Sequence, residues 1–183
     1  MPERGLHAEL KEWLRRPGDL VEGTVWGYRV RLVYPVPEKR WVIREVEGRK
    51  QRRVSPRVRR VEEVFNELVY CPTLPLDQNF SLEVLLVHSE EAQAVRWRGR
   101  KRTRYTVTER RLVKVVSSTV FEKPDDYLKL IPDMHGAFTA RQLSNATGLR
   151  ITLARRIVYC LAKMGVLEEV GSVARAKLYK VKA

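Results

Sequence analysis

Between residues 150 and 177 the chain spaces its basic side chains as a phosphate-gripping surface would. Arg150, Thr152, Arg155, Arg156, Tyr159 and Lys163 recur at helical intervals, opposite an apolar stripe of Leu153, Ile157, Leu161 and Met164. Guanidinium groups bond guanine edges bidentately or clamp phosphate oxygens. Further on, Arg175 and Lys177 stand in GSVARAK, between the short apolar runs VLEEV and AKLYKV. Such a pair can meet a nucleic-acid backbone or minor groove.

Three elements must position these groups. PDDYLKLIP, from Pro124, reads as a first helix with acids in its first turn. Thr139 caps a second helix, TARQLSNATG, and Gln142 completes a capping box. Leu143 and Ala146 are expected to face inward. Gly148 ends that helix, and Gly165 ends a third that starts near Ile151. The two strands around GSVAR complete a wing, so the spacing predicts a winged helix-turn-helix over 124–183.

Charge supports a polyanionic partner. The 183 residues carry 36 Lys and Arg against 22 acids, a net charge of +14. A charge of this size says little about fold but draws nucleic acid over long range. Residues 134–183 hold nine basic residues against two acids, the same surplus as the 133 residues before them. The N-terminus has no apolar run of signal type, and no stretch reaches the ~18 apolar residues of a membrane span. A soluble, cytoplasmic protein is expected, with no membrane partner. Cys71 and Cys160 sit in LVYCP and IVYCLA, as small buried side chains do. Many Arg and Glu with few Asn and Gln lean toward a thermophilic source.

Two further clusters are basic. Residues 49–60 (RKQRRVSPRVRR, including Arg52 and Arg53) and 96–104 (RWRGRKRTR, including Arg98, Arg100, Lys101 and Arg102) hold thirteen Lys and Arg. The second, centred on Gly99 and flanked by apolar residues, reads as an exposed turn tip. Both are solvated loops or a second phosphate-contact surface.

Upstream, Leu6, Leu10, Trp13 and Leu14 mark a helix. GTVWGYRVRLVY and RWVIREVEG alternate like strands, joined by a turn at PVPEK, Pro35 to Lys39. Ser55 and Pro56 open a helix striped by Val58, Val61, Phe65 and Leu68. LEVLLV, Leu82 to Val87, reads as a buried strand. TERRLVKVVSSTVF carries Leu112, Val116 and Val120 at helical spacing and is expected to be a helix.

GLHAELKEWLRRPGDLVEGTVWGYRV resembles the opening of a bacterial nuclease-like family of the PD-(D/E)XK type. The likeness continues through RLVYPVPEKRWVIR, SPRVRRVEEVFNELV and NFSLEVLLV to YCLAKMG. That family follows Gly-Tyr-x-Val with an Asp, then a strand bearing Glu-x-Gln or Glu-x-Lys. Here Arg31 follows Val30, and the acidic segment is absent. A metal nuclease needs converging carboxylates on Mg²⁺. The remaining acids for that role are Glu22, Glu45 and Glu47, and no metal site or cofactor is expected unless they serve.

Together these readings give an α+β chain. Residues 1–123 form a small nuclease-like remnant with basic loops and a hairpin-and-helix middle, and 124–183 form the winged helix-turn-helix. The expected function is non-catalytic binding of duplex DNA, as a regulator or as an accessory subunit of a nucleic-acid machine. The alternatives are a metal-dependent endonuclease, an RNA- or ribosome-binding protein, and a protein-contact or homodimeric role.

Overall fold

The computed structural model describes residues 29–46, 49–98 and 102–182. β-Branched and aromatic residues recur in three long strands, β1 (Val30–Val46), β3 (Phe80–Arg98) and β4 (Arg102–Phe121), which a short basic strand, β2 (Arg49–Val54), joins. They form one sheet in the order β2-β1-β3-β4. The helix expected over Leu6–Leu14 and the start of the first expected strand lie outside the described residues.

The turn expected at Pro35–Lys39 is absent, and β1 runs straight through PVPEK. β2 pairs with β1 only from Trp41 onward, where Trp41 faces Val54. Before Trp41, β1 has β3 on one side and no second strand beside it among the described residues. Two prolines two residues apart withhold their N–H groups on one side of a strand. An unpaired edge tolerates both gaps.

Side-chain contacts from β1 to β3 advance together. Arg31 Nε donates to Ser81 Oγ (3.4 Å) and Arg40 Nη1 to Glu91 Oε2 (2.9 Å), while Arg44 Nε donates to Gln93 Oε1 (2.9 Å). The two strands are therefore parallel, and a parallel pair requires a long crossover rather than a tight turn. The crossover holds a 3₁₀ helix at Val61–Val64, α1 (Phe65–Leu68) and a 3₁₀ helix at Leu74–Leu76. The helix expected from Ser55 thus begins late: Val58 stays 69% exposed, whereas Phe65 and Leu68 are buried. Arg57, Arg59 and Arg60 would crowd three like charges into one helical turn at its start.

TERRLVKVVSSTVF is strand β4, not the expected helix. Thr108 Oγ1 donates to the carbonyl of Ala92 (3.2 Å) and Ser118 Oγ to Glu83 Oε1 (2.6 Å), so β3 and β4 run antiparallel. Val113, Val115, Val116, Thr119 and Val120 are stiff at χ1 and suit a pleated strand. The i, i+4 spacing of Leu112, Val116 and Val120 is equally a period-two pattern. The expected turn tip at residues 99–101 lies outside the described residues, and the strands that flank it are present.

Two compact units result, each discontinuous in sequence. Among the described residues, one comprises those within 29–32, 64–82 and 121–182; the other comprises those within 33–63 and 83–120. In the second, Val36, Val42, Val84 and Val87 form the apolar core beside a buried carboxylate, Glu91, at 4% exposure. Glu91 Oε2 accepts from Arg40 and lies 3.8 Å from Arg110 Nε, while its Oε1 accepts from Gln93 Nε2 (2.9 Å). A buried charge persists only when it is paired in this way.

The first unit is built around aromatic contacts. Tyr127 stacks on Phe121 (4.6 Å between ring centroids) and meets Phe65 edge-on (6.2 Å). The first expected helix is a 3₁₀ helix, Pro124–Leu130. Asp126 Oδ2 ties it down by accepting the N–H groups of Glu122 and Lys123, at 3.0 and 3.2 Å. After it come β5 (Phe138–Thr139), α2 (Ala140–Thr147), α3 (Ile151–Lys163), β6 (Leu167–Val173) and β7 (Ala176–Val181). The three strands form an antiparallel sheet ordered β5-β7-β6.

The capping box is present: Gln142 N–H donates to Thr139 Oγ1 (3.2 Å), and Thr139 N–H donates to Gln142 Oε1 (2.8 Å). Gly148 follows α2 at φ +69°, a left-handed conformation that a side chain would strain. Leu143, Leu153, Ile157, Leu161 and Met164 are buried as expected. Ala146 is exposed instead: in this eight-residue helix Leu143 is the one fully buried side chain. Cys71 and Cys160 are free and buried, and burial pushes both thiols up, Cys160 to about 12. Both stay protonated and inert at neutral pH.

Candidate nucleic-acid interface

α3 is long enough to present one continuous outer stripe. Its inner face is occupied by Leu153, Ala154, Ile157, Val158, Cys160 and Leu161. This leaves Thr152, Arg155, Tyr159 and Lys163 exposed along the opposite side, with Arg150 exposed at the helix start. Lys163 Nζ sits 5.9 Å from the Tyr159 ring centroid, a cation–π pair one turn apart.

A groove of about 520 Å³ opens beside that stripe. Arg155 from α3, Arg141 from α2, and Arg175 and Lys177 from the β6–β7 hairpin line it, over Ile151, Val158 and Tyr179. No acid is among its lining residues. Arg141, Arg155 and Arg175 make no ion pair with any described residue. Lys177 is exposed and bonds Glu169 Oε2 at 2.7 Å; that carboxylate raises its pKa and keeps it charged.

The hairpin turn presents its arginine at a cost. Ala174 and Arg175 occupy its two central positions at φ +49° and +65°. Such a turn matches the strand twist but favours Asn-Gly or Gly-Gly. Left-handed backbone costs a residue with a side chain roughly 1–2 kcal/mol. Strain of this kind gathers where a side chain must be held in place for another purpose.

Of the residues expected to act together, the groove unites Arg155, Arg175 and Lys177. Arg156 turns away: it is half-buried, and its Nη1 donates to Asn66 Oδ1 on α1, so it braces the packing of α3. Arg141 was not expected. Its signal lies in its position, the first turn of α2, where the helix dipole disfavours a cation. An arginine placed against that field needs another reason to be there.

The sheet clusters are arranged differently. Arg52 lies over the Trp41 ring (4.9 Å) while its Nη2 bonds Glu90 Oε1 (2.6 Å), and Lys39 approaches the same ring at 5.1 Å. Arg44 lies 3.7 Å from the centroid of Tyr105. Arg53 is exposed on β2, in register with Val42. Arg98 and Arg102 stand on β3 and β4 at the distal end of their hairpin. Arg100 and Lys101 lie outside the described residues.

For the nuclease alternative, Glu45 lies on β1 in register with Lys50. Glu22 and Glu47 lie outside the described residues. Among the described residues no group of three or more His, Cys, Asp or Glu is arranged to hold a metal ion. No helix among them is long and apolar enough to cross a membrane.

These elements define a mixed α+β protein. A family model described as a domain of unknown function (DUF8091) matches residues 23–122, more than half of the chain, and the chain belongs to that family. The match takes in β1 to β4, while α2, α3 and the β6–β7 hairpin lie beyond it. No curated protein and no solved structure matches the chain.

Proposed function

We propose that this chain is a non-catalytic nucleic-acid-binding protein that holds duplex DNA, as a regulator or as an accessory subunit of a nucleic-acid machine. The observation that carries the reading is the convergence of Arg141, Arg155, Arg175 and Lys177 on one groove with no acid among its lining residues. The element order β5-α2-α3-β6-β7, with a short turn at Gly148–Arg150 between the helices, supports reading this part as a winged helix-turn-helix. In that arrangement α3 enters the major groove and the β6–β7 hairpin lies against the flanking backbone. Duplex DNA suits it better than A-form RNA, whose deep, narrow major groove excludes side chains. The sequence resemblance to a nuclease family, without that family's acidic segment, fits the same reading of binding without cleavage.

The test is duplex binding by fluorescence anisotropy at fixed salt. Arg155→Ala with Arg175→Ala is expected to weaken affinity at least tenfold. Two lost phosphate contacts are also expected to lower the log–log salt slope by about 1.8. An unchanged affinity would sink the assignment. Structured RNA that displaces duplex DNA at equal concentration would move the reading to RNA. Plasmid cleavage with Mg²⁺ or Mn²⁺, abolished by Glu45→Ala, would move it to a nuclease.

A further inference from the structure

β4 ends the sheet order, so one of its backbone edges has no strand beside it among the described residues. Every residue from Tyr105 to Ser118 is exposed, which leaves both side-chain faces of the strand open as well as its edge. Tyr105, Val107, Leu112, Val113, Val115 and Val116 are apolar and 36–60% exposed. A long strand of this kind, with unsatisfied N–H and C=O groups and no proline, is a template for another strand.

We infer that β4 is an interface at which two copies of this chain pair antiparallel, centred on Arg110. A two-fold axis through an antiparallel pair requires one residue to face its own copy, and that choice fixes all other pairs. With Arg110 at the axis, Glu109 faces Arg111 of the second copy, and the reverse pair forms on the other side. Val107 then faces Val113, and Tyr105 faces Val115, so each ion pair is flanked by apolar pairs. Arg110 meets its own copy on the opposite face, where each guanidinium already lies 3.8 Å from a buried Glu91. Shifting the axis to Arg111 leaves Glu109 against Val113. Shifting it to Leu112 sets Arg110 against Lys114. This is the only register that sets Glu109 against a cation. The two Glu109–Arg111 pairs outnumber the one like-charge contact of Arg110 with its own copy, so charge complementarity selects both the occupant and the register, over a ladder of about 35 Å.

Sedimentation equilibrium over a concentration series tests this on the full chain. The unmodified protein is expected to dimerise. Glu109→Arg alone, or Arg111→Glu alone, sets like charges opposite each other and is expected to weaken dimerisation at least tenfold. The double variant Glu109→Arg/Arg111→Glu restores both pairs and is expected to dimerise again. A monomeric unmodified protein, single variants that dimerise normally, or a double variant that stays monomeric would each overturn the inference.

A second readout does not depend on the charge variants folding. Arg110→Cys places two thiols on directly opposed residues, whose Cα atoms sit roughly 4.5–5.5 Å apart in an antiparallel pair. That distance suits a disulfide. Mild oxidation is expected to crosslink Arg110→Cys but not Leu112→Cys, which faces Thr108. Equal crosslinking of the two, or none in either, would overturn the register. Cys71 and Cys160 are buried and do not compete.

Discussion

The two basic regions of this chain handle their charge in opposite ways. On the four-stranded sheet, cations are absorbed. Arg40 and Arg110 share Glu91, Arg52 is held by Glu90 and Trp41, and Arg44 is spread over Gln93 and Tyr105. Around α3 and the β6–β7 hairpin, three arginines and a lysine line one groove, and only the lysine has an acid. A cation bound to a carboxylate has little left for a phosphate, because releasing it costs the pair it breaks. Net charge per residue does not separate the two regions, but the supply of acids does.

That contrast can be broken at its most buried point. Arg40→Met leaves the Glu91 carboxylate without its closest charge partner, and breaking a buried pair from one side costs about 3 kcal/mol. The urea midpoint is expected to fall accordingly, and Arg40→Met with Glu91→Leu is expected to recover most of the loss. Duplex affinity should change by less than twofold in either variant. A tenfold drop would mean that the sheet contributes directly to binding.

The next test compares single arginines. Arg155→Ala is expected to weaken duplex binding severalfold and Arg52→Ala by less than twofold at the same salt. Equal losses would erase the distinction between exposed and paired cations. Arg156→Ala is expected to act on stability instead, through its bond to Asn66.

A smaller effect concerns satisfaction of polar groups. The sheet unit surrounds Glu91 with partners, whereas the Tyr127 hydroxyl is buried with none among the described residues. Burial also raises the Tyr127 pKa, so the group stays neutral. Tyr127→Phe removes that hydroxyl and keeps the rings, and is expected to stabilise the chain by about 1 kcal/mol. A loss in thermal melting temperature would show that the hydroxyl has a partner after all.

The smallest effect is one of pH. The hydrogen bond from Lys129 Nζ, with those from the N–H groups of Glu122 and Lys123, holds Asp126 at about 2. Its unfolded value is about 3.9. A depressed carboxyl contributes stability above its unfolded value and loses it as pH falls from about 4 through 2. Asp126→Asn is expected to flatten that part of the acid-denaturation curve, only slightly because its partner Lys129 is exposed and screened by solvent.

What was legible in the sequence was what is local. The Thr139–Gln142 box, the Gly148 stop and the buried stripe of α3 each depend on residues within a few positions of one another. The passage of β1 through Pro35 and Pro37 depends on where β2 stops and on a strand fifty residues away, so periodicity alone suggested a turn. β4 was hidden because Leu112, Val116 and Val120 satisfy both the helical and the strand period. Residue type identified Arg155 and Arg156 alike, and only the fold separates them, since Asn66 reaches one and not the other. Arg141 is not legible from residue type alone, because it stands on the helix that precedes α3 and only the fold brings it beside Arg155.

The parallel pairing of β1 with β3 also sets an order of events during synthesis. Arg40 and Glu91 are 51 residues apart, so β1 leaves the ribosome long before its partner exists. At translation rates of ~5–20 residues per second, the delay is roughly 3–10 s. Through that interval Val42 has only β2 as a strand neighbour and Val36 has none, and the loop between must close before any β1–β3 contact forms. α2, α3, β6 and β7 face no such wait, because each meets its neighbour as it emerges. The sheet is thus begun first and finished late, and a nascent chain stalled before residue 91 carries an unfinished strand in search of a partner.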